Sequence, residues 1–310
     1  MKTVLVIGAT GTAGSETVRA LVARKDARVR VLVRDASRLR FDGLDVVEGD
    51  LRDEAILARA LEGVSACFYA SPHEADEEAL AAALVSACEA RGVRIVFLGV
   101  HADGATRASR AVQRALYAVL FRHYRSKFRL SEHVRQARVP TVLLMASNFM
   151  QNDDLALEAI ARGRFAIPIG TKGVNRVDVR DIGDAAARAL VDESITPGAH
   201  PVVGPESLGG PDCAAAWARA LGRPVDYAPE DFEALTAEKL RGKKQSDFVA
   251  SHRLLSRISI ATDAEALRRT TALLGRAPRT YADYVASRVS RIDVDSSVTP
   301  RRLTPLQPST

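Results

Sequence analysis

The chain is poor in cysteine and in aromatic residues, and it contains no long apolar stretch. Its 310 residues include three cysteines, one tryptophan and 5% aromatic residues. Cys67, Cys88 and Cys213 are widely spaced and form no C-x-x-C pair, so we expect reduced thiols and no metal site. No segment approaches the roughly 20 consecutive apolar residues of a membrane-spanning helix. These absences argue against a disulfide-stapled, metal-binding or membrane protein.

Charge and composition point away from nucleic acid and from disorder. Lys and Arg number 44 and Asp and Glu 38, and the two signs are interspersed along the chain. A nucleic-acid-binding domain would concentrate positive charge on one face, so we expect no direct nucleic-acid contact. Hydrophobic residues make up 47%, as in globular proteins. The apolar run Thr3–Ile7 is too short for a signal peptide and runs directly into a glycine loop. The three cysteines, interpreted as reduced thiols, favour a cytoplasmic protein.

Short apolar runs alternate with longer amphipathic stretches in the first half of the chain. Runs that are apolar without alternation are typical of strands covered on both faces of a parallel sheet. The order predicts an α/β fold with a Rossmann-type, doubly wound parallel sheet. The predicted strands are Thr3–Ile7, Val29–Val33, Val46–Glu48, Ala66–Tyr69, Arg94–Leu98 and Thr141–Leu144, and the helices are Gly14–Ala23, Glu54–Leu61, Glu77–Ala90 and part of Arg107–Gln136.

Capping residues set the predicted ends of several helices. Asp53 is placed to cap the second helix, and Gly63 and Gly92 follow the second and third. In the second half the sequence predicts a strand end at Asp178–Arg180, a helix over Ile182–Val191 capped by Asp181, a helix from Pro211 to Gly222 and another near Glu230–Leu240.

The strongest motif is a glycine loop between the first strand and the first helix. Gly8, Gly11 and Gly14 are evenly spaced, and Gly14 opens the helix. Small residues let the backbone turn tightly and approach a pyrophosphate at the helix N-terminus. The alternative is a purely structural turn. The candidate cofactor-binding residues of this loop are Gly8, Thr10, Gly11, Thr12, Ala13 and Gly14.

The residues that follow the second strand favour NADP over NAD. An NAD site usually has an acidic residue there to bind the ribose 2′-hydroxyl, whereas this chain has Arg34. A guanidinium suits a 2′-phosphate, and Arg38 or Arg40 is placed to assist. Asp35 comes one residue late and is expected to face outward. The alternative for Arg34 is an exposed charge at a strand end.

The end of the third strand supplies a second candidate contact. Asp50 is placed to meet the adenine amino group, and Leu51 to meet the ring face. Asp50 could equally cap the following turn, and the sequence leaves both interpretations open.

These residues, together with later segments, resemble the NmrA-like group of atypical short-chain dehydrogenases. The resemblance spans residues 1 to about 230, and the motifs come in the expected order. The later segments are His123–Lys127 with Glu132 (H-x-x-x-K-x-x-x-x-E), Asn148–Asn152 (F-M-x-N), Val177–Ile182 (V-D-V-x-D-I) and Gly204–Glu206 (G-P-E).

The resemblance implies an NADP(H)-binding Rossmann domain over residues 1–150 and a smaller C-terminal α/β substrate lobe. Residues 151–292 would be mixed, with part returning to the Rossmann sheet and part forming the lobe. The Ser, Thr, Pro and Arg-rich stretch 293–310 is expected to be a disordered tail. The cofactor set also includes Ala70 and Ser71, which follow the fourth predicted strand, and Asn148.

The catalytic candidates are Lys127 and His123. Short-chain dehydrogenases typically place a Tyr four residues before a Lys that binds the nicotinamide ribose, and here that position holds His123. His123 could donate a proton, or be an ordinary polar surface residue. Lys127 could orient the cofactor, or lie on the helix surface. Tyr124 is rotated about 100° from the usual position.

Two departures concern the predicted substrate end. The family's L-R-P segment is replaced by Leu144–Ala146, and His101 stands where a Ser or Thr often lies. His101 could line the substrate pocket or cover the strand end. Phe149 could face the nicotinamide or pack in the core.

The resemblance implies two functions. The first is an NADPH-dependent reductase of a small quinone- or enone-type compound, because a missing proton donor would slow such a reaction without abolishing it. The alternative is a non-catalytic NADP(H)-binding, redox-sensing regulator with a protein partner. We expect a monomer or homodimer in either case.

Overall fold

A parallel sheet of seven strands forms the centre of the molecule. The computed structural model describes residues 1–71, 74, 76–101 and 125–293. The strand order is β10-β6-β5-β4-β1-β2-β3, and every neighbouring pair is parallel. The strands are β1 (Lys2–Ile7), β2 (Ala27–Val33), β3 (Asp45–Glu48), β4 (Val64–Ala70), β5 (Arg94–Val100), β6 (Thr141–Ala146) and β10 (Gly198–Val202).

Helices cover both faces of this sheet, as the unbroken apolar strands require. Val4, Leu5 and Val6 of β1 have no exposed surface, so successive side chains fill both layers. One layer packs under α1 (Thr12–Arg24), α6 (Val179–Val191) and α10 (Ala264–Leu274). The opposite layer packs under α2 (Glu54–Ala60), α3 (Glu77–Glu89) and α4 (Arg125–Arg135). The predicted doubly wound Rossmann-type sheet is confirmed.

The remaining elements build a third apolar cluster around Trp217. Its indole Nε1 donates to the Tyr281 hydroxyl at 3.1 Å, and both side chains are fully buried. The elements of the C-terminal half are α5 (Leu157–Ala161), α7 (Gly210–Leu221), α8 (Phe232–Lys239), α9 (Gly242–Leu255) and α11 (Tyr281–Asp293), with short strands β7 (Asn148–Phe149), β8 (Arg164–Phe165), β9 (Val174–Val177), β11 (Ser207–Leu208) and β12 (Asp226–Tyr227). Short 3-10 helices lie at Ala36–Arg38, Met150–Ala156 and Pro229–Asp231.

The predicted caps are correct at two helices and wrong at one. The Asp53 carboxylate accepts from Ala55 N and caps α2, and Gly222 ends α7 with φ +64°. The prediction that Asp181 caps α6 is wrong, because Asp178 accepts from Arg180 N at 2.9 Å and the helix begins at Val179.

Asp181 instead lies in the first turn of α6 with its side chain fully buried. Its carboxylate accepts from Arg279 N at 2.7 Å and from Arg276 Nη2 at 2.6 Å. Asp181 therefore ties α6 to the connection between α10 and α11.

Candidate functional site

The glycine loop turns tightly at the carboxyl end of β1. Gly8 has φ +82°, a backbone conformation that favours glycine, and Gly11 N donates to Gly8 O at 2.9 Å. A Cβ on Gly14 would lie only 2.1 Å from Gly8 O. Gly14 therefore lets α1 begin directly against the loop. Ala70, the last residue of β4, borders the same loop, with its carbonyl oxygen 3.8 Å from where a Gly8 Cβ would be.

The start of α1 is open to solvent. Thr10, Gly11 and Thr12 are exposed, whereas Ala13 and Gly14 are buried beneath them. Gly11 is the N-cap and provides no side-chain cap, and the first turn holds no acidic residue. The first amide groups of a helix lack partners within the helix, and the dipole there favours negative charge. This end of α1 is therefore suited to a phosphate group.

Arg34 directly follows β2, and its side chain is 65% exposed. Its Nη1 donates to Glu74 Oε1 at 3.2 Å. Asp35 accepts from Ser37 N at 3.0 Å and caps the 3-10 helix, and the Ser37 hydrogen bonds lower the pKa of Asp35. Arg38 is exposed in the same turn. Arg34 is thus the cation at the strand end, while the Asp35 carboxylate is held by its own turn.

Asp50 forms a turn after β3. Its Oδ1 accepts from Arg52 N at 2.9 Å, and its backbone carbonyl accepts from Asp53 N at 3.1 Å. The hydrogen bond from Arg52 N and the charge of Arg52 hold the pKa of Asp50 below its usual range, against the opposing effect of burial. The turn-capping interpretation thus describes the Asp50 contacts. The adenine contacts of Asp50 and of the half-buried Leu51 stay a prediction.

Lys127 lies on α4 with its ammonium at the end of β4. Its Nζ donates to the Ser71 carbonyl and hydroxyl oxygens at 3.1 Å each and to Glu77 Oε2 at 2.5 Å. The Lys127 side chain is 11% exposed and the Glu77 side chain 3%. Burial alone would raise the pKa of Glu77, but hydrogen bonds from Lys127 and Ser126 outweigh it and lower that pKa. Lys127 is therefore held in a nearly buried ion pair, and the surface-lysine alternative is wrong.

Asn148 leads from β6 into the C-terminal half. Its Oδ1 accepts from Arg176 Nε at 3.3 Å, in register with the β7–β9 pairing. Arg176 is fully buried and pairs with both carboxylate oxygens of Asp153 at 2.7 and 2.9 Å. A Cβ on Gly204 would lie 1.7 Å from Arg176 O, so this segment packs too closely for any larger residue. The amide of Asn148 is thus fixed by a buried ion pair.

Several residues singled out in the sequence take no part in the contacts described above. His123 and Tyr124 fall outside the described residues, as does the segment 294–310 of the predicted tail. His101 is half-buried after β5, and its backbone N donates to Ala146 O at 2.8 Å. Within the described ranges, no three His, Cys, Asp or Glu side chains lie close enough to hold a metal ion. No helix among those residues has the length and apolarity to cross a bilayer.

The contacts of three residues were missed by the sequence analysis. Glu74, Glu77 and Arg176 each bond to a side chain 23 or more residues away. The only local signal was at Glu77, an acidic residue in the first turn of a predicted helix. Such a residue is typical of any helix start, so its partner was not apparent.

The parallel sheet and the glycine loop that opens α1 define the class, a Rossmann-type α/β protein. The chain belongs to the NmrA-like family, whose model matches residues 1–253.

Two curated relatives match this chain over almost its whole length. An NAD(P)H azoreductase from Xenophilus azovorans is 32% identical over 286 residues, which cover 91% of this chain and 96% of the relative. A (4-alkanoyl-5-oxo-2,5-dihydrofuran-3-yl)methyl phosphate reductase from Streptomyces griseus is 32% identical over 295 residues, with the same coverage.

Solved structures share the fold at lower identity. The NADPH complex of an NADPH-dependent quinone oxidoreductase from Escherichia coli aligns with TM-score 0.72 at 21% identity, covering 92% of this chain and 99% of that one. The negative transcriptional regulator NmrA in complex with NADP aligns with TM-score 0.73 at 18% identity, covering 96% and 98%.

Proposed function

We propose that this protein is an NADPH-dependent reductase that transfers hydride to a small unsaturated or carbonyl compound of the quinone or enone type. The observation that carries the proposal is the open N-terminus of α1, with Arg34 exposed at the end of β2, the strand that pairs with β1. Two relatives that match over 96% of their length are named as reductases, one of them of the NAD(P)H-dependent kind. Together these favour a cofactor-dependent reduction.

The residues present fit NADP(H). The small residues Gly8, Gly11 and Gly14 keep side chains away from the first turn of α1, where a pyrophosphate would meet backbone amides. Arg34 would face the 2′-phosphate, and Asp50 with Leu51 the adenine. Ala70, Ser71, Lys127 and Asn148 would border the nicotinamide half. When bound, NADPH supplies the hydride.

Lys127 would act by position and charge. Ser71 and Glu77 fix its ammonium at the end of β4, where it would hold the nicotinamide ribose. Hydride transfer to a quinone leaves negative charge on the product oxygen, which takes one proton. Water can supply that proton to a reactive acceptor, so a group at His123 would increase the rate without being required.

The alternative is a redox-sensing regulator that binds NADP(H) without turnover. The ion pair between Lys127 and the buried Glu77 carboxylate favours the regulator, because an ammonium whose charge is balanced by a carboxylate polarises a substrate less. The tyrosine usual in short-chain dehydrogenases is also absent from the position four residues before Lys127. On that alternative a protein partner would respond to the oxidation state. On either one we propose a cytoplasmic monomer or homodimer.

The test follows NADPH absorbance with near-stoichiometric protein and a panel of quinones, enones, azo compounds and aldehydes. The reductase proposal predicts several turnovers with one class of acceptor and a loss of turnover in Arg34→Glu at low NADPH. Bound NADPH without oxidation of any acceptor would contradict the reductase and support the regulator. Failure to bind NADPH would contradict both.

A further inference from the structure

We infer that Glu74 determines cofactor specificity: its carboxylate competes with the 2′-phosphate for Arg34, and Arg52 limits that competition. The inference rests on the proposed function and assigns roles to two residues that lie outside the expected phosphate and adenine contacts.

Glu74 bridges two guanidinium groups. Its Oε1 accepts from Arg34 Nη1 at 3.2 Å, and its Oε2 accepts from Arg52 Nη2 at 2.5 Å. The Glu74 side chain is 29% exposed, compared with 65% for Arg34. The carboxylate is therefore less exposed than the cation with which it pairs, and it engages one of the N–H donors that a phosphate would need.

The bridge crosses the end of the sheet where the cofactor is expected. Arg34 follows β2, Arg52 follows β3 and Glu74 follows β4. In the sheet, β1 lies between β2 and β4, so the Arg34–Glu74 pair spans the end of β1, from which the glycine loop begins. Ligands of such sheets bind at the carboxyl ends of the strands, and the adenosine half lies towards β2 and β3.

Arg52 competes with Arg34 for the Glu74 carboxylate. It donates to Asp50 at 3.1 Å and to Asp76 at 2.8 Å as well as to Glu74, and these carboxylates raise its pKa. The cluster holds two guanidinium groups and three carboxylates, a net formal charge of −1. A doubly negative phosphate must therefore approach Arg34 against a negative background, whereas a ribose 2′-hydroxyl brings no such charge.

Two variants should shift affinity in opposite directions. Glu74→Gln removes the carboxylate that pairs with Arg34 in the described part of the chain, so the Kd for NADP+ should fall about two- to five-fold, as expected for loss of a competing exposed ion pair. The Kd for NAD+ should stay unchanged. Arg52→Ala frees Glu74 to pair with Arg34 alone, so NADP+ should weaken more than NAD+. In Arg52→Ala/Glu74→Gln this selective loss should disappear.

Asp76→Asn is the matched control. It removes the same charge from the same guanidinium, Arg52, but Asp76 makes no ion pair with Arg34 in the described part of the chain. If competition at Arg34 is the cause, Asp76→Asn should change NADP+ affinity by less than half as much as Glu74→Gln. An effect of net charge alone would give equal changes in the two variants.

The experiment is calorimetric titration of the full chain with NADP+ and with NAD+, at low and at moderate salt. A selective gain in Glu74→Gln that shrinks with salt supports the inference. Equal shifts for both dinucleotides, or equal effects of Glu74→Gln and Asp76→Asn, would overturn it while leaving the proposed function intact. A wild-type chain that binds neither dinucleotide would overturn both.

Discussion

Replacing Lys127 by methionine should destabilise the protein strongly. The change keeps most of the side-chain volume but leaves the Glu77 carboxylate, which is 3% exposed, without its cation. Breaking a buried ion pair by removing one partner costs about 3–5 kcal/mol. That is a large fraction of the roughly 5–15 kcal/mol by which domains are stable. Urea unfolding at neutral pH, compared with wild type, measures the loss.

A second change separates this structural role from a role in the reaction. Gln at position 77 can still accept the Ser71 hydroxyl hydrogen bond, seen at 3.1 Å, without carrying a charge. Lys127→Met/Glu77→Gln should therefore recover most of the lost stability. NADPH oxidation should not recover with it, because Lys127 is proposed to hold the nicotinamide ribose. Recovery of both would show that Lys127 acts only through the fold.

The pH dependence of stability provides an independent check. The pKa of Glu77 lies below its ordinary value of 4.5, so folding favours the ionised carboxylate. The stabilisation is complete above pH 4.5 and is lost as the pH falls through the lowered value. Wild type should lose stability more steeply than the double variant in that range. Equal slopes, or a Lys127→Met variant as stable as wild type, would refute the description of a closed ion pair.

Three further changes test other parts of the structure. Gly14→Ala would place a Cβ 2.1 Å from Gly8 O, so the loop and α1 would have to move apart and NADPH binding should weaken in a fluorescence titration. Gly11→Ala, whose Cβ would lie 3.2 Å from the same oxygen, should weaken binding much less. Equal losses in the two variants would contradict the close approach at Gly14. Arg34→Glu should remove a preference for NADP+ over NAD+ of about ten-fold or more, because a hydrogen bond to a charged group contributes that much to affinity. An equal effect of Arg38→Glu would contradict the assignment of the 2′-phosphate to Arg34. Burial lowers the pKa of His252 to about 4, so the folded protein holds the imidazole neutral. The unfolded chain takes up a proton below about pH 6.5, so the free energy of unfolding should fall by about 3 kcal/mol between there and pH 4. His252→Phe should flatten this part of the stability curve, and an unchanged slope would contradict the burial of a neutral imidazole.

The sheet was predictable because its signals are local. An apolar run between turn residues marks each of the strands β1 to β6, and the spacing of Gly8, Gly11 and Gly14 marks the first crossover. The seventh strand, β10, carries no such run and was not predicted. The strand boundaries differ from the prediction: β6 is predicted over Thr141–Leu144 and extends to Ala146. The added residues, Met145 and Ala146, pair with β5 on one side and with β10, some 50 residues further along the chain, on the other.

The polar contacts of the site depend on the tertiary structure. Asp178 and Asp181 are three residues apart, and either could cap a helix. In the structure Asp178 caps the helix, and the Asp181 carboxylate is engaged by arginines about 95 residues further along the chain. Lys127 and Glu77 are likewise separated by 50 residues. A sequence identifies such charged residues, but it does not reveal which of them share one buried volume.

The late return of the chain to the sheet limits how this protein can be recombined with its relatives. β10 covers the edge of β6, and α6 lies so close to α1 that a Cβ on Gly183 would be 2.6 Å from the Glu16 backbone. Both elements follow residue 178, so in a chimaera joined at residue 150 the α1 of one parent would have to pack against the α6 of the other. Successful exchange would have to carry residues 179–202 along with the N-terminal half. The Rossmann-type sheet and its helices are therefore built from two separate segments of the chain, and substitutions in one segment constrain those in the other.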